Sequence, residues 1–305
     1  MSNRRRNKGR SIDGIVILDK AIGLSSNAAL QQVKRLFEAS KAGHTGSLDP
    51  LATGVLPLCL GEATKVSQFL LNSDKRYLAK IKLGERTDSG DKTGTVIESC
   101  CDYSVTQNEV EKALGAFRGE IEQLPPMYSA LKVDGVPLYK MARKGIEVER
   151  ELRKVTIYEI SLIDFANDTI ELDIACSKGT YIRTIADDLG QALGCGAHII
   201  ELRRTQAGVF TEEDSIDIES LEAIKAEAGL AGIDQKLLPM DQAITELPEV
   251  NLPSITASHV KNGQAVLVRH LPEEGLVRLY EEERFIGIGC IDDDGKVAPR
   301  RLIVS

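Results

Sequence analysis

No stretch of these 305 residues approaches the eighteen or so consecutive apolar positions of a membrane helix. The basic opening MSNRRRNKGR has no apolar run behind it, because Asp13 and Asp19 interrupt the one candidate, so no secretory leader is expected. The six cysteines (Cys59, Cys100, Cys101, Cys176, Cys195, Cys290) contain no CxxC pair, and two of them are adjacent. That spacing suits neither a metal site nor a disulfide framework, and points to reduced, mostly buried thiols. The four histidines are scattered, which leaves no zinc signature. A GxG begun at Gly287 and Gly289 fails as a dinucleotide fingerprint because position 292 is Asp. GxxxxGK[ST] and GxSxG are both absent. Asp292-Asp293-Asp294-Gly295 looks like a calcium loop, but in register its end ligands would be Cys290 and Arg301. Ser129-Ala-Leu-Lys132 and Lys92-Thr93-Gly94 occur in the wrong order for a serine acyl-transfer enzyme, and the SDN element is missing. These exclusions leave a soluble chain, expected in the cytoplasm, with no metal and no nucleotide cofactor.

What is present is ordinary in bulk and uneven in distribution. Hydrophobic residues make up 42% and charged ones 28%, enough for one large buried core or two smaller ones. The net charge of −8 argues at first against a nucleic-acid partner. Residues 211–250, however, hold eleven acids against Lys225 and Lys236, a net of −9, so the other 265 residues sum to +1. Binding follows the local field rather than the sum. The tail with Arg4, Arg5, Arg6, Lys8 and Arg10 reads either as a phosphate-touching arm or as a solvated disordered end over 1–11.

Periodicity places the elements. GIVILDK (14–20) is a strand, after which Ser25 or Ser26 caps a helix to about Ala39 with Leu30, Val33 and Phe37 along one stripe. VLPLCLG (55–61) is a buried strand, followed by a helix over ATKVSQFLL and a strand over RYLAKIKLG. Thr106 and Glu109 spell a capping box for a helix to about Phe117. Asp134-Gly135 marks a hairpin, and residues 154–176 are two strands joined at Asn167-Asp168. Thr180 caps a helix with Ile182, Ile185, Ala186 and Leu189 inward. Leu247-Pro248-Glu249 reads as a linker to a small β-rich domain with strands AVLVRHL, GLVRLYE, RFIGIGCI and RLIVS. The sum is an α+β chain on a mixed, mainly antiparallel sheet.

The densest unusual segment is GHTGSLDPLATGVLPLCLGEATK, residues 43–65. Its glycines and prolines fix a tight loop before a buried strand. Pro50 pushes Asp49 into extended or turn geometry, and a carboxylate fixed there by the scaffold suits a nucleophile. An Asx-turn, in which Asp49 only caps backbone amides, is the competing reading. His44 is either structural or RNA-facing.

GHTGSLDPLATGVLP resembles the catalytic loop of the bacterial tRNA pseudouridine-55 synthases. GIVILDKAIGLSS, LGEATKVSQFLLNSDKRYLAKIKLGERTDSGD, LPPMYSALKVDGVPLYKMARKGIEV, CSKGTYIRTIADDLG and GIGCIDDDGKVAPRRLIV match the same family in the same order, over residues 12–305. The resemblance implies a pseudouridine-synthase-type catalytic domain over 12–248, with an RNA-gripping flap inserted at about 124–152. It also implies a C-terminal β-barrel-like, PUA-type RNA-binding domain over 249–305. By resemblance Asp49 is the catalytic aspartate. Tyr77 packs on the target uracil and assists proton removal, and Arg183 pairs with the aspartate. Tyr181 and Leu202 line the base pocket, His44 inserts into the RNA, and Lys20 lies near the loop. The implied activity is cofactor-free isomerisation of a flipped T-loop uridine. Whether the aspartate attacks C1′ or C6, or drives elimination to a glycal, stays open.

Lys132, Lys140, Arg143 and Lys144 in the flap, with Lys261, Arg300 and Arg301 in the C-terminal part, are the expected RNA contacts; a solvated face of PLYKMARKG is the alternative for the flap residues. A tRNA-folding chaperone uses the same surfaces without Asp49, and the two activities are compatible. A methyltransferase needs a donor-binding glycine loop where DKAIGLSS offers one glycine. A guide-RNA-dependent subunit is disfavoured by the compact C-terminal part. The expected partner is the tRNA T-arm, with no membrane and no required protein partner.

Overall fold

The computed structural model describes residues 9–269, 271 and 274–303. Arg4, Arg5, Arg6 and Lys8 of the basic tail lie outside the described residues. Arg10 does not belong to a free end: its guanidinium pairs with Asp234, and its backbone bridges to Ala39.

Nine strands form the main sheet. Their path runs Gly14–Lys20, Thr53–Leu60, Ala197–Ala207, Lys75–Leu83, Thr169–Cys176, Arg153–Ala166, Gly119–Gln123, with two short strands paired off it. One pairing, Thr53–Gly54 with Arg203–Arg204, is parallel, and the others are antiparallel, so the mixed sheet read from the sequence is present. The first two strands read as unbroken apolar runs because both faces of the sheet are covered. Val16, Leu18, Leu56, Leu58 and Leu60 point to one core, while Ile15, Ile17, Val55 and Cys59 point to the other. Period-two alternation thus divides one run between two cores. Pro57, which cannot donate to a ladder, sits where the far-side neighbour changes from residues 203–204 to the short strand Ala42–His44.

The first helix is Ser26–Leu36, capped by Ser25, whose hydroxyl accepts from the Ala28 amide at 3.2 Å. It stops three residues short of Ala39 because Glu38 turns left-handed (φ 51°), letting the Ala39 amide reach back to the Lys34 carbonyl. The capping box at Thr106 and Glu109 forms as expected, over a helix Gln107–Leu114 that tightens into a 3-10 turn through Phe117. Thr180 is not the cap of the helix Ile182–Ala192. Tyr181 occupies that position, and Thr180 Oγ1 donates instead to the Ser177 carbonyl. The side chain of Gln123 satisfies Tyr181 from across the sheet, accepting from its amide at 3.0 Å and donating to its carbonyl at 3.3 Å.

The acidic stretch is folded in. The helical segment Ile218–Asp234, kinked at Gly229 (φ 66°), packs on the first helix, and residues 216 and 238 hydrogen-bond to Ile15, Ile17 and Asp19, covering the edge of the first strand. The Leu247-Pro248 segment is docked rather than free: both carbonyls accept from Arg278. Beyond it, a five-stranded sheet ordered Glu249–Leu252, Gly275–Glu281, Arg284–Ile291, Lys296–Leu302, Val266–Leu267 closes on its own apolar core. It carries one helix, Ser254–Lys261, that the strand-only reading of 250–305 missed. AVLVRHL contributes two described strand residues, and part of RLIVS lies outside the described residues.

Candidate active site

The loop from Thr45 to Ala52 is fastened at several points. Ser26, turned inward beside its capping neighbour, accepts from the Leu48 amide at 2.7 Å and donates to the Leu48 carbonyl at 3.0 Å. The Thr45 amide donates to the Pro57 carbonyl, and the Gly23 amide to the Pro50 carbonyl. Gly54 (φ +97°) closes the loop against the sheet; a Cβ there would stand 2.2 Å from the Arg204 carbonyl oxygen. Asp49 is therefore presented by scaffold rather than by its own contacts.

Its carboxylate meets Arg183, with Nε 3.0 Å from Oδ2. The arginine side chain is only 7% exposed, and its other donors are also engaged: one terminal nitrogen donates to the Ser89 carbonyl at 2.9 Å, the second to the Tyr128 carbonyl at 2.7 Å. Asp91 stands 3.8 Å from the same guanidinium. It is 4% exposed, and Ser89 and Thr93 donate to its carboxylate. Three independent acceptor groups fix the plane of the guanidinium, so the Asp49 pair has one geometry.

Burial pushes the Asp49 carboxyl above the usual range, Arg183 pulls it down, Asp91 adds to the rise and Lys20 opposes it. The crowding of protein atoms and the 43% of the side chain still open to the cleft act in opposite directions, which tempers the rise. Lys20 is fully buried, donates to the Ala21 and Leu24 carbonyls, and burial lowers its pKa to about 8. His44 is held below its usual value by burial and then by Arg204, so it is neutral at physiological pH; its Nδ1 is buried with no hydrogen-bond partner.

A cleft of about 320 Å³ opens on Asp49, and Tyr77, Tyr181, Arg183, Leu202, Lys75 and Arg204 are among its walls. It adjoins a larger depression of about 750 Å³ that shares Asp49 and Arg183 and is edged by His44 and by Tyr139 and Arg143, which follow the Asp134-Gly135 hairpin. Five residues that sequence reading grouped (Asp49, Tyr77, Tyr181, Arg183, Leu202) thus line one cleft, with His44 on its outer side. Lys20 lines neither cavity, and acts on Asp49 through its charge. Lys132, Lys140, Arg143 and Lys144 are exposed around the Asp134-Gly135 hairpin, and Arg300 and Arg301 are exposed on the C-terminal sheet. Lys261 is tied to Glu281 at 2.5 Å.

Sequence reading passed over Asp91, Gln123, Arg204 and the inward role of Ser26. Arg204 had a signal: it is two residues after Leu202 in a strand, hence on the same face.

A scaffold-fixed carboxylate paired with a buried arginine, beside two tyrosines at the centre of a mixed sheet, belongs to the pseudouridine-synthase type of fold. Solved structures share it. The chain aligns to one in "Crystal Structure of a Cbf5-Nop10-Gar1 Complex" with a TM-score of 0.74 at 28% identity, over 95% of this chain and 84% of that one. It also aligns to one in a structure of an H/ACA RNP bound to a substrate RNA containing 2′-deoxyuridine, with a TM-score of 0.74 at 24% identity. Residues 34–182 match the TruB family pseudouridylate synthase N-terminal domain, 183–245 the tRNA pseudouridylate synthase B C-terminal domain, and 248–303 the pseudouridine synthase II TruB C-terminal domain. The tRNA pseudouridine synthase B of Tolumonas auensis is 55% identical, over 99% of this chain and 96% of that protein; that of a Shewanella strain is 55% identical, over 98% and 97%. The chain belongs to the TruB family of pseudouridylate synthases.

Proposed function

We propose that this protein isomerises the T-loop uridine of tRNA, position 55, to pseudouridine, with Asp49 as its catalytic carboxylate. The observation that carries the reading is the Asp49–Arg183 pair on the floor of a cleft walled by Tyr77, Tyr181 and Leu202. The reaction breaks the bond from N1 to C1′, turns the base, and joins C5 to C1′. The C5 proton leaves and N1 gains one, so nothing is oxidised or hydrolysed.

The uridine has to leave the T-loop stack, at a cost of a few kcal/mol. Stacking on Tyr77 recovers about 1–3 kcal/mol of that. Leu202 and Tyr181 complete an apolar slot for the ring. Asp49 acts as the ionised form, as nucleophile or as counter-charge to a ribose cation, and Arg183 holds it in that state and direction. The neutral His44 at the outer depression suits insertion among RNA bases. Lys132, Lys140, Arg143 and Lys144 grip the stem by phosphate contact, with Arg300 and Arg301 extending the surface.

We take residues 12–248 as the catalytic domain, with the flap at about 124–152, and 249–305 as a PUA-like RNA-binding domain. The chain acts without a protein partner in this reading, whereas the solved structures above are titled as complexes.

The test is pseudouridine formation in an unmodified tRNA transcript by the purified chain and by Asp49→Asn, with tRNA binding alongside. Conversion of one T-loop uridine by the wild type alone, and binding without conversion by the variant, is the expected result. Equal conversion by both reduces Asp49 to an Asx-turn residue. Binding without conversion by both points to a folding chaperone.

A further inference from the structure

Arg204 is the largest fully buried side chain among the described residues, 1% exposed. Among those residues no carboxylate pairs with it. Its hydrogen bonds go to carbonyls of the catalytic loop and the strand behind it: Nε donates to Val55 at 2.7 Å, and a terminal nitrogen lies 3.5 Å from the Gly46 carbonyl. A buried guanidinium without a counter-charge is costly unless negative charge shares its site at some stage. The neighbouring buried amines do not supply it: the charge of Arg204 depresses the pKa of both Lys20 and Lys75, to about 8 in each case after the larger effect of burial.

Tyr77 does have a group able to carry that charge. It stands directly opposite Arg204 in the antiparallel register of strands Lys75–Leu83 and Ala197–Ala207. The adjacent pair on the same face is Ala79 and Leu202, and Tyr77 and Arg204 both line the base cleft. Burial pushes the phenol up, while the positive charge of Arg204 is the first influence pulling it down; Cys176 and Asp49 push it up. The resting phenol is therefore protonated, with a cation waiting beside it.

We propose that Arg204 is a positioning residue for Tyr77: its guanidinium orients the phenol and stabilises the negative charge on its oxygen while the C5 proton is moved. This rests on the isomerase reading above. Once C5 is joined to C1′, that carbon still carries its hydrogen and the ring holds an N1=C6 double bond. The phenol gives its proton to N1, becoming phenolate. The phenolate then takes the proton from C5, whose C–H electron pair becomes the C5=C6 bond and discharges the positive N1=C6 unit. N1 and C5 flank the same ring carbon, so one oxygen serves both. One proton moves from C5 to N1, and the phenol is restored.

The same guanidinium also fastens the loop that carries Asp49, and a purely structural role has to be told apart from this one. The experiment measures single-turnover rates on tRNA carrying hydrogen or deuterium at uridine C5, for the wild type, Arg204→Gln, Arg204→Lys and Tyr77→Phe, and for the double variant Tyr77→Phe/Arg204→Gln. Arg204→Gln is expected to bind tRNA normally and to slow conversion about 10²-fold. It should also show a larger deuterium isotope effect than the wild type, because proton transfer has become limiting. Arg204→Lys should recover part of the rate, and the double variant should be no slower than Tyr77→Phe. If Arg204→Gln loses its fold, Arg204→Lys carries the same isotope criterion. A slow variant with an unchanged isotope effect, or additive losses in the double variant, overturns the proposal and leaves Arg204 as a loop anchor. Failure of the wild type to convert tRNA sinks the isomerase reading instead.

Discussion

Arg183 and Arg143 edge the same depression and are held in opposite ways. Arg183 is 7% exposed and fixed by Asp49 and two carbonyls. Arg143 is exposed, and its guanidinium lies over the Tyr139 ring, 5.6 Å from the centroid. Lys132, Lys140 and Lys144 around it form no ion pair among the described residues. The floor is arranged before substrate arrives, at the cost of burying charge, so that no reorganisation is needed during the reaction. The rim keeps its cations solvated and adaptable, which suits a backbone read by phosphate contact. The link between them is the Tyr128 carbonyl: the backbone shortly before the Asp134-Gly135 hairpin is an acceptor for the arginine that meets Asp49.

This contrast can be broken first at the floor. Asp49→Asn should lower the single-turnover rate by ~10⁴-fold with tRNA affinity nearly unchanged; a large loss of affinity would mean that the floor also binds. Arg183→Lys keeps the charge but loses the planar fork, and should cost about 10²-fold in rate. Recovery of full activity by the lysine would show that charge alone is needed there.

A pH series sharpens the comparison. Because burial holds the Asp49 carboxyl above the usual carboxylate range, the rate should fall with acid at a higher pH than an ordinary aspartate would set. Stability follows the same sign. The ionised form costs stability above the folded-state pKa, and the cost is relieved as pH falls through it. Asp49→Asn should therefore raise Tm slightly at neutral pH, with the gap closing in acid. A lower Tm at neutral pH would show that the Arg183 contact outweighs burial.

The smallest effect is at the rim. Lys140→Ala and Lys144→Ala should each weaken tRNA binding and reduce the salt slope by about 1, leaving the rate of bound substrate unchanged. An unchanged slope would return these lysines to the solvated face of a helix.

Some of this was legible in the chain. The unbroken apolar runs in GIVILDK and VLPLCL mark buried strands, Thr106 and Glu109 mark a helix start, and Asp134-Gly135 marks a hairpin whose two residues both have positive φ (51° and 79°). Each is a local matter, settled by period or by one residue's allowed backbone. The helix cap at Tyr181 was misread because its real partner, Gln123, is 58 residues away. That the Leu247-Pro248 segment is held in place was not legible locally, because Arg278, which binds both carbonyls, comes some thirty residues later.

By itself the sequence determined which residues lie on which face and where the chain must turn. Through long family-restricted segments, it also determined which loop carries Asp49. Only the tertiary structure decided what stands around that loop. Asp91, Ser89, Tyr128 and Arg204 reach the cleft from strands and turns remote in sequence, and no periodicity records such a meeting. Burial then sets their chemistry: the same carboxylate, phenol and amine groups would be unremarkable in water, and the low-dielectric floor is what raises Asp49, lowers Lys20 and leaves Arg204 beside Tyr77 without a counter-charge.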